Sequence, residues 1–180
     1  MRKDAPGPAS GFSLVESMIV VAILAILAGL ALPSLQALVL RQRIATTGYT
    51  LATELSLARN TAVVRRSPVT LCPSLGNGQC LGTSDWSHGW LIYRDPNRST
   101  QPTSPDDILR ETRQPLHASM QAHSTAGRVR IRYQPDGRSG GSNVTLRICS
   151  DGMLHGEVVV NNAGRPRNRR LPGTAPCPAP

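Results

Sequence analysis

The residues best suited to bind a ligand form a basic cluster near the C-terminal end of the chain. The cluster begins with Gly164-Arg165-Pro166-Arg167 and continues through Arg169 and Arg170. Four arginines within six positions create a local positive field that suits phosphate groups. Gly164 would permit close backbone approach to such a ligand, and Pro166 would restrict the unbound loop and so reduce the ordering cost of binding.

A second group of arginines alternates with apolar residues. Arg128, Arg130 and Arg132 are separated by Val129 and Ile131. A strand over 128–133 would bury the apolar side chains and direct three guanidinium groups outward. Alternate side chains on a strand are about 6.6 Å apart, close to twice the ~3.4 Å axial spacing of phosphates along one nucleic-acid strand. Both groups of arginines could instead form a solvated edge that discourages sheet aggregation.

Positive charge is concentrated in this part of the chain. The formal net charge is +9, and from residue 127 onward nine arginines accompany three acidic residues, a local net charge of +6. Aromatic residues make up only 3% of the sequence, and we expect Trp86, Trp90, Tyr93 and Tyr133 in the core rather than stacked on bases. Nucleic-acid binding should therefore be directed at the phosphate backbone, independent of base sequence and sensitive to salt.

The four cysteines, Cys72, Cys80, Cys149 and Cys177, permit three disulfide pairings. We favour Cys72 with Cys80 and Cys149 with Cys177 in a chain exported to an oxidising compartment. The second bridge would anchor the basic C-terminal segment to the sheet. Zinc binding is disfavoured, because the chain has no C-x-x-C or H-x-x-x-H spacing and Cys177 lies in a proline-rich tail. We predict no metal site and no cofactor.

One stretch has the spacing of a catalytic motif. Gly137-Arg138-Ser139-Gly140-Gly141 fits the G-x-S-x-G nucleophile elbow. That elbow requires a following helix, whereas residues 142–149 are typical of a strand, and Asp151 and His155 lie too near in sequence to complete the usual site. The sequence therefore predicts no enzyme. A membrane-anchored hydrolase using Ser139 is retained only as a third alternative.

The N-terminal part of the chain contains an apolar run over 14–32, interrupted only by Glu16 and Ser17. This run is long enough to cross a hydrocarbon core of about 30 Å at about 1.5 Å per residue. Arg2 and Lys3 would keep the short leader in the cytoplasm, so the rest of the chain would be exported. A carboxylate in such a helix costs about 2 to 3 kcal/mol at the bilayer centre and calls for a partner.

Cleavage of the leader would supply that partner, because an amine freed on Phe12 would lie near Glu16. Gly11-Phe12-x-x-x-Glu16 before an apolar helix resembles the type III signal sequence of type IV pilins and pseudopilins. The resemblance implies that a prepilin peptidase cleaves between Gly11 and Phe12 and N-methylates Phe12, while Glu16 guides docking to other pilins or pseudopilins. It also implies a single span in the bacterial inner membrane with a periplasmic head. An ordinary single-span anchor is the alternative.

Periodicity and turn signals predict the elements that position these residues. Apolar residues at steps of three or four predict one helix over about 12–64, with Pro33 and Gly48 as weak points and Pro68 as the stop. Strands are predicted at 69–72, 90–93, 128–133, 144–149 and 157–160, with 108–110 as a further candidate. We therefore predict an α+β fold.

The predicted organisation has five parts. These are a leader at 1–11, a transmembrane helix at 12–40, its amphipathic continuation at 41–66, an antiparallel β-sheet head at 67–163, and a basic proline-rich tail at 164–180.

Further stretches resemble the GspH/FimT group of minor pilins and pseudopilins. They include Leu57-Ala58-Arg59, Trp86-Ser87-His88-Gly89-Trp90 and Gln134-Pro135-Asp136-Gly137-Arg138. Gly164-Arg165-Pro166-Arg167 matches the G-R-x-R motif of FimT-type minor pilins. The resemblance implies a type IV pilin-like fold, incorporation into a pilus, and DNA binding by this basic region during uptake for natural transformation. The alternative is a minor pseudopilin of a type II secretion system that has a structural role without DNA.

Overall fold

The computed structural model describes residues 13–113, 115–141 and 143–179, and it leaves out the side chains of residues 30, 31 and 33. Gly11 and Phe12, the predicted cleavage and methylation site, lie outside the described residues. The chain divides into two compact units, Met1–Gln42 and Arg43–Pro180. The helix α1 contributes residues to both units.

Helix α1 covers Leu14–Arg65, 52 residues, and continues through positions 33 and 48. Ser13 begins it as an N-cap, because its Oγ accepts the backbone N–H of Glu16 at 3.2 Å. At the other end the N–H of Arg66 donates to Val63 and that of Ser67 donates to Ala62. This is a Schellman motif with Arg66 in the left-handed conformation at φ 50°. The helix thus ends before Pro68, as predicted.

The first unit is apolar enough to enter a membrane. Within α1 an 18-residue window has a mean hydropathy of 2.6, and it is the only described helix whose length and composition would allow a membrane span. Exposed apolar side chains cover this part of the helix, among them Leu14, Met18, Val21 and Leu24. Together with the family described below, this helix indicates membrane anchoring.

The second unit contains two four-stranded antiparallel sheets. Sheet A has the order β3-β2-β1-β5, and sheet B has the order β4-β6-β7-β8. The strands of sheet A are β1 Val69–Pro73, β2 Trp90–Arg94, β3 Ile108–Thr112 and β5 Ile131–Tyr133. The strands of sheet B are β4 Met120–Ser124, β6 Val144–Ser150, β7 Met153–Val160 and β8 Pro166–Pro176.

The C-terminal half of α1 contacts both sheets. Its buried apolar residues are Ile44, Ala45, Leu51, Leu55, Ala58 and Ala62, and Thr47 and Glu54 are buried with them. Ile44 lies beside Gly156 of sheet B, while Glu54 is paired with Arg110 of sheet A at 3.0 Å. Gly48 leaves room for the side chain of Asn168 against the helix, so it permits close packing rather than interrupting the helix.

The strand predictions need three corrections. Strand β4 was not predicted, because residues 120–124 contain one large apolar side chain and no alternation. Strand β5 begins at Ile131 rather than residue 128, because its pairing with β1 ends at Leu71 and the preceding segment forms a turn in which Arg128 N–H donates to Thr125. Residues 166–176 form an edge strand where a tail was predicted, because β7 begins at Met153 rather than residue 157 and is long enough to pair with them.

Both disulfides have the favoured pairing. Cys72 is joined to Cys80, and this bridge is buried with Leu91 and Tyr93, with Ile108 packed against them. Cys149 is joined to Cys177. The second bridge ties the segment after β8 to β6, and the Cys177 N–H adds a hydrogen bond to Gly152 at 2.8 Å. The C-terminal end of sheet B is thereby fixed at both the main chain and a side chain.

Candidate functional site

The G-R-x-R motif lies at the hairpin between β7 and β8. The N–H of Gly164 donates to the Asn161 carbonyl at 2.8 Å, and the N–H of Arg165 donates to Asn161 Oδ1 at 3.1 Å. Arg167 then pairs with Val159 within the sheet. The motif is therefore a fixed turn followed by a strand, and Arg165 and Arg167 are both exposed.

Gly164 has a different role from the one predicted. It is buried, its φ is +73°, and a Cβ at this position would collide with the Gly137 carbonyl. The backbone at Gly164 therefore packs closely against another loop of the same chain. The prediction that Gly164 approaches a ligand is corrected, because its Cα already lies against Gly137 and no ligand can occupy that space.

The arginines of β8 share one face of sheet B with residues of neighbouring strands. Cross-strand partners lie on the same face, and the register pairs Arg167 with Val159, Arg169 with Glu157, and Glu157 with Arg147. Alternate β7 residues are buried on the opposite face. We call Arg147, Glu157, Val159, Arg167 and Arg169 the outer face of sheet B. Arg170 is also exposed, beside a register irregularity opposite Gly156.

The outer face combines positive charge with one acid. Three arginines surround Glu157, which lies directly between Arg147 and Arg169 in the ladder. Residues two apart on a strand are about 6.6 Å apart, so Arg167 and Arg169 have the spacing that was predicted for the other arginine group. The face can attract an extended polyanion, and Glu157 weakens that attraction locally.

The group at 128–132 does not form the predicted outward row. Arg132 turns inward, where its Nη2 lies 2.7 Å from Oδ2 of Asp95 and donates to the Ser99 carbonyl at 2.9 Å. Asp95 is completely buried at its side chain, and only 21% of the Arg132 side chain is exposed. The prediction that Arg132 contacts DNA is therefore corrected. Arg132 has a structural role, because the buried carboxylate of Asp95 requires a charged partner. Arg128 and Arg130 precede the strand and are half-buried.

The second disulfide borders a cleft at the edge of sheet B. Nε2 of His123 donates to the Pro178 carbonyl at 2.8 Å and lies 3.6 Å from Sγ of Cys177. Burial lowers the pKa of His123, although the Pro178 carbonyl opposes this change. Within the described ranges, His123, Cys149 and Cys177 are the potential metal ligands found together. The disulfide occupies both sulfurs, so neither can act as a thiolate ligand.

Ser139 has no catalytic surroundings among the described residues. It is buried, its N–H donates to the Asn162 carbonyl at 3.2 Å, and a strand rather than a helix follows the loop. Its backbone also bridges to Tyr133. The G-x-S-x-G spacing thus belongs to a loop that joins two sheets, because the elbow requires a helix immediately after the serine.

Glu16 lies in the first turn of α1, and its N–H bonds to Ser13. An acidic residue at a helix N-terminus is favourable in the field of the helix dipole. Glu16 therefore stabilises the start of α1 locally. Its predicted role in subunit docking stays a prediction.

Comparison with known proteins identifies the family. A family model described as type II transport protein GspH matches residues 49–164. The chain belongs to the GspH family. A second model, the prokaryotic N-terminal methylation motif, matches residues 8–32. These two matches confirm the family resemblance stated from sequence. No curated protein sequence matches it significantly.

The solved structure of a minor pilin shows the same fold. The crystal structure of the type IV minor pilin FimU from Pseudomonas aeruginosa PAO1 superposes with a TM-score of 0.58 at 19% identity, covering 76% of this chain and 94% of FimU. A second crystal form of FimU gives a TM-score of 0.53 at 18% identity, covering 73% and 95%. The minor pseudopilin EpsH of Vibrio cholerae gives 0.49 at 12% identity, covering 71% and 97%. The likeness to FimU confirms the predicted α+β, type IV pilin-like fold.

Sequence reasoning missed three residues that shape the site in this GspH-family member. Arg147 and Glu157 are partners on the outer face, and the register that joins them depends on long-range pairing. Arg59 donates from Nε to the Gly137 carbonyl at 3.0 Å. The period of apolar residues in α1 could have indicated that Arg59 borders the buried face, but it could not have identified its partner.

Proposed function

We propose that this GspH-family protein is a minor type IV pilin that binds DNA through the N-terminal half of β8 during uptake for natural transformation. One observation carries the proposal: Arg165, Arg167, Arg169 and Arg170 are all exposed on a rigid hairpin. The backbone of a pre-formed strand is already ordered, so binding a phosphate costs mainly the rotamer freedom of the arginine side chains. The main-chain ladder supplies this rigidity independently of any ligand.

The chemistry of the site favours the DNA backbone over the bases. Arginines in an extended strand present forked donors that match phosphate oxygens. The aromatic residues Trp86, Trp90, Tyr93 and Tyr133 are buried and are not available for stacking. Binding would therefore be insensitive to base sequence and strongly sensitive to salt, as uptake of arbitrary DNA requires.

A prepilin peptidase, other pilins and the inner membrane are the proposed partners in assembly. The methylation-motif match over 8–32 supports processing at Gly11 and Phe12, followed by incorporation with other pilins. Glu16 would pair with the new amine of Phe12 on its own chain or on a neighbour. The head would lie in the periplasm, and after assembly it would lie on the filament.

The alternative proposal is a minor pseudopilin of a type II secretion system. The description of the matching family model supports it. Both candidates share the fold and the processing, but the secretion role needs no DNA. The exposed arginines would then be surface charges that discourage pairing at the β8 edge.

Gel retardation of duplex DNA by the processed full-length chain in neutral detergent tests the proposal. We expect retardation at low salt that is lost as salt rises, and its loss at low salt in the Arg165→Gln and Arg167→Gln double variant. Arg113→Gln is the control, because that arginine is exposed and directly follows β3 of sheet A. No retardation by the native chain would favour the secretion role, and undiminished retardation by the double variant would reject the motif.

A further inference from the structure

Four loops of the second unit, each carrying an exposed arginine, meet at one end of the sheets. They connect α1 to β1, β2 to β3, β5 to β6, and β7 to β8. The arginines are Arg66, Arg98, Arg138 and Arg165, and we call this set the arginine cap. We propose that the arginine cap is part of the same DNA site, so that bound DNA continues from β8 over this end of the molecule. The inference rests on the proposed function and adds Arg66, Arg98 and Arg138 to it.

The strand register places three of these loops together. Val69, the first residue of β1, pairs with Arg94 at the end of β2 and with Tyr133 at the end of β5. The connection from α1, the loop after β2 and the loop after β5 must therefore lie at the same end of sheet A. A hydrogen bond joins the first two of these loops directly, because the Asp95 N–H donates to the Pro68 carbonyl at 2.8 Å.

Direct contacts bring the fourth loop to the same place. A Cβ on Gly164 would collide with the Gly137 carbonyl, and the Ser139 N–H donates to Asn162 at 3.2 Å. Arg138 and Arg165 are the residues that follow Gly137 and Gly164. They are therefore neighbours across the loop contact although 27 positions apart in the sequence. Val63 of α1 also lies against Gly137, with 3.0 Å between its Cγ2 and a Cβ built there.

The acidic residues at this end of the sheets only partly offset the positive charge of the arginine cap. Asp95 is buried and is neutralised by Arg132 at 2.7 Å. Asp107 is paired with Arg94 at 3.0 Å beside β3, the far strand of sheet A, and Asp106 is exposed there as well. Asp136 is exposed in the same loop as Arg138, and its Oδ1 accepts the Arg138 N–H at 2.9 Å. The side of this end nearest β5 and the β7–β8 hairpin therefore remains positive.

Continuity with the β8 arginines favours DNA as the ligand. Arg165 belongs to the cap and also begins the row that continues through Arg167 and Arg169. A surface that runs from a strand over loops at its end suits a long polymer of regularly spaced charges better than a small anion. Each additional phosphate contact should steepen the dependence of affinity on salt, with a slope of about −0.9 per contact for duplex DNA.

The test measures affinity for duplex DNA by fluorescence anisotropy over about 50 to 200 mM salt, using the full-length processed chain in neutral detergent. The variants are Arg138→Gln alone and a triple variant that combines Arg138→Gln with Arg66→Asn and Arg98→Asn. Both of the latter arginines have positive φ, 50° and 54°, a conformation that asparagine accepts. We expect Arg138→Gln to lower the salt slope by about 0.9 and the triple variant by about 2.7.

Two controls interpret the result. Arg113→Gln also removes an exposed arginine, but Thr112 before it pairs with Trp90 at the opposite end of β2, so its slope should equal that of the native chain. Arg138→Lys keeps the charge and should keep the slope. A native slope in Arg138→Gln and in the triple variant, with binding still lost in the Arg165→Gln and Arg167→Gln variant, would overturn the cap and leave the proposed function intact.

The remaining outcomes are also decisive. If Arg113→Gln and Arg138→Gln lowered the salt slope equally, only the total charge of the chain would matter, and the proposal of the arginine cap would be overturned. No DNA binding by the native chain would reject the proposed function and the cap with it. Should the triple variant misfold, Arg138→Gln alone decides the question, because its side chain is exposed and its removal leaves the Asp136 hydrogen bond to the backbone N–H.

Discussion

The side chain of Arg59 donates from Nε to the carbonyl oxygen of Gly137 at 3.0 Å. The same carbonyl faces the Cα of Gly164. Helix α1, the β5–β6 loop that joins the two sheets, and the β7–β8 hairpin of sheet B therefore meet at one peptide group. The position of the basic hairpin depends on this contact as well as on the ladder of sheet B.

We expect Gly164→Ala to lower the free energy of unfolding by at least 2 kcal/mol, roughly, because the new Cβ would collide with a backbone carbonyl that cannot move aside. Gly127→Ala is a matched control. Both glycines have a φ of +73°, but the space beside Gly127 is open, so that variant should lose only about 1 kcal/mol from conformational strain. Urea unfolding in neutral detergent compares them. Equal losses would contradict the importance of the contact with Gly137.

Arg132→Gln should lower the free energy of unfolding by about 3 kcal/mol, because it leaves the buried carboxylate of Asp95 without its ion pair. Arg165→Gln removes an exposed arginine and should change it by less than about 0.5 kcal/mol. The same unfolding measurement, combined with DNA retardation, separates the two roles. A stable Arg132→Gln protein that had lost DNA binding would restore Arg132 as a DNA contact.

Glu54 should make stability depend on pH. Burial raises its pKa above 4.5 although Arg110 opposes this, so the folded state holds the proton more tightly than the unfolded state. The stability of the native chain relative to Glu54→Gln is then largest below about pH 4.5 and falls as the pH rises through the folded pKa. Denaturation from pH 4 to 7, roughly, measures this difference.

Glu111→Gln supplies a control of opposite sign. Burial alone would raise the pKa of Glu111, but hydrogen bonds from Gly78, Ser74 and Arg113 lower it below 4.5. The stability of the native chain relative to Glu111→Gln should therefore be present above about pH 4.5 and fall as the pH drops through the folded pKa. If the stability differences for Glu54→Gln and Glu111→Gln changed with pH in the same direction, the opposite pKa shifts of these two residues would be contradicted.

Glu157→Gln should strengthen DNA binding. The change removes the acid that lies between Arg147 and Arg169 on the outer face of sheet B, and at low salt we expect about a 3-fold lower Kd. Fluorescence anisotropy with duplex DNA measures this change. Asp151→Asn is the control, because Asp151 lies in the β6–β7 turn at the other end of these strands. Weaker or unaltered binding in Glu157→Gln would place the DNA elsewhere.

Local chemistry in the sequence determined the elements with strong periodic or positional signals. The apolar run and Pro68 indicated where α1 lies and where it ends, because a long apolar segment favours a membrane helix and the residue before a proline disfavours the helical conformation. Pro33 lies inside the same helix, so proline alone does not end it. The type III signal and the stretches that resemble the GspH/FimT group predicted the family that the comparisons show. The favoured disulfide pairing also agrees with the structure.

Tertiary structure alone decided which arginines remain available. Arg132 and Arg167 both alternate with less polar neighbours in the sequence, yet one is paired with a buried aspartate and the other is exposed at a sheet edge. A strand pattern gives the period of its side chains but not the partners that cover each face. The partner of Arg132 is Asp95, which lies 37 positions earlier in the chain. The neighbours of Arg167 are set by the register of β7 with β8. The sequence shows where the arginines are, but which of them are paired and which remain exposed depends on contacts between distant parts of the chain. Only the folded structure brings those parts together.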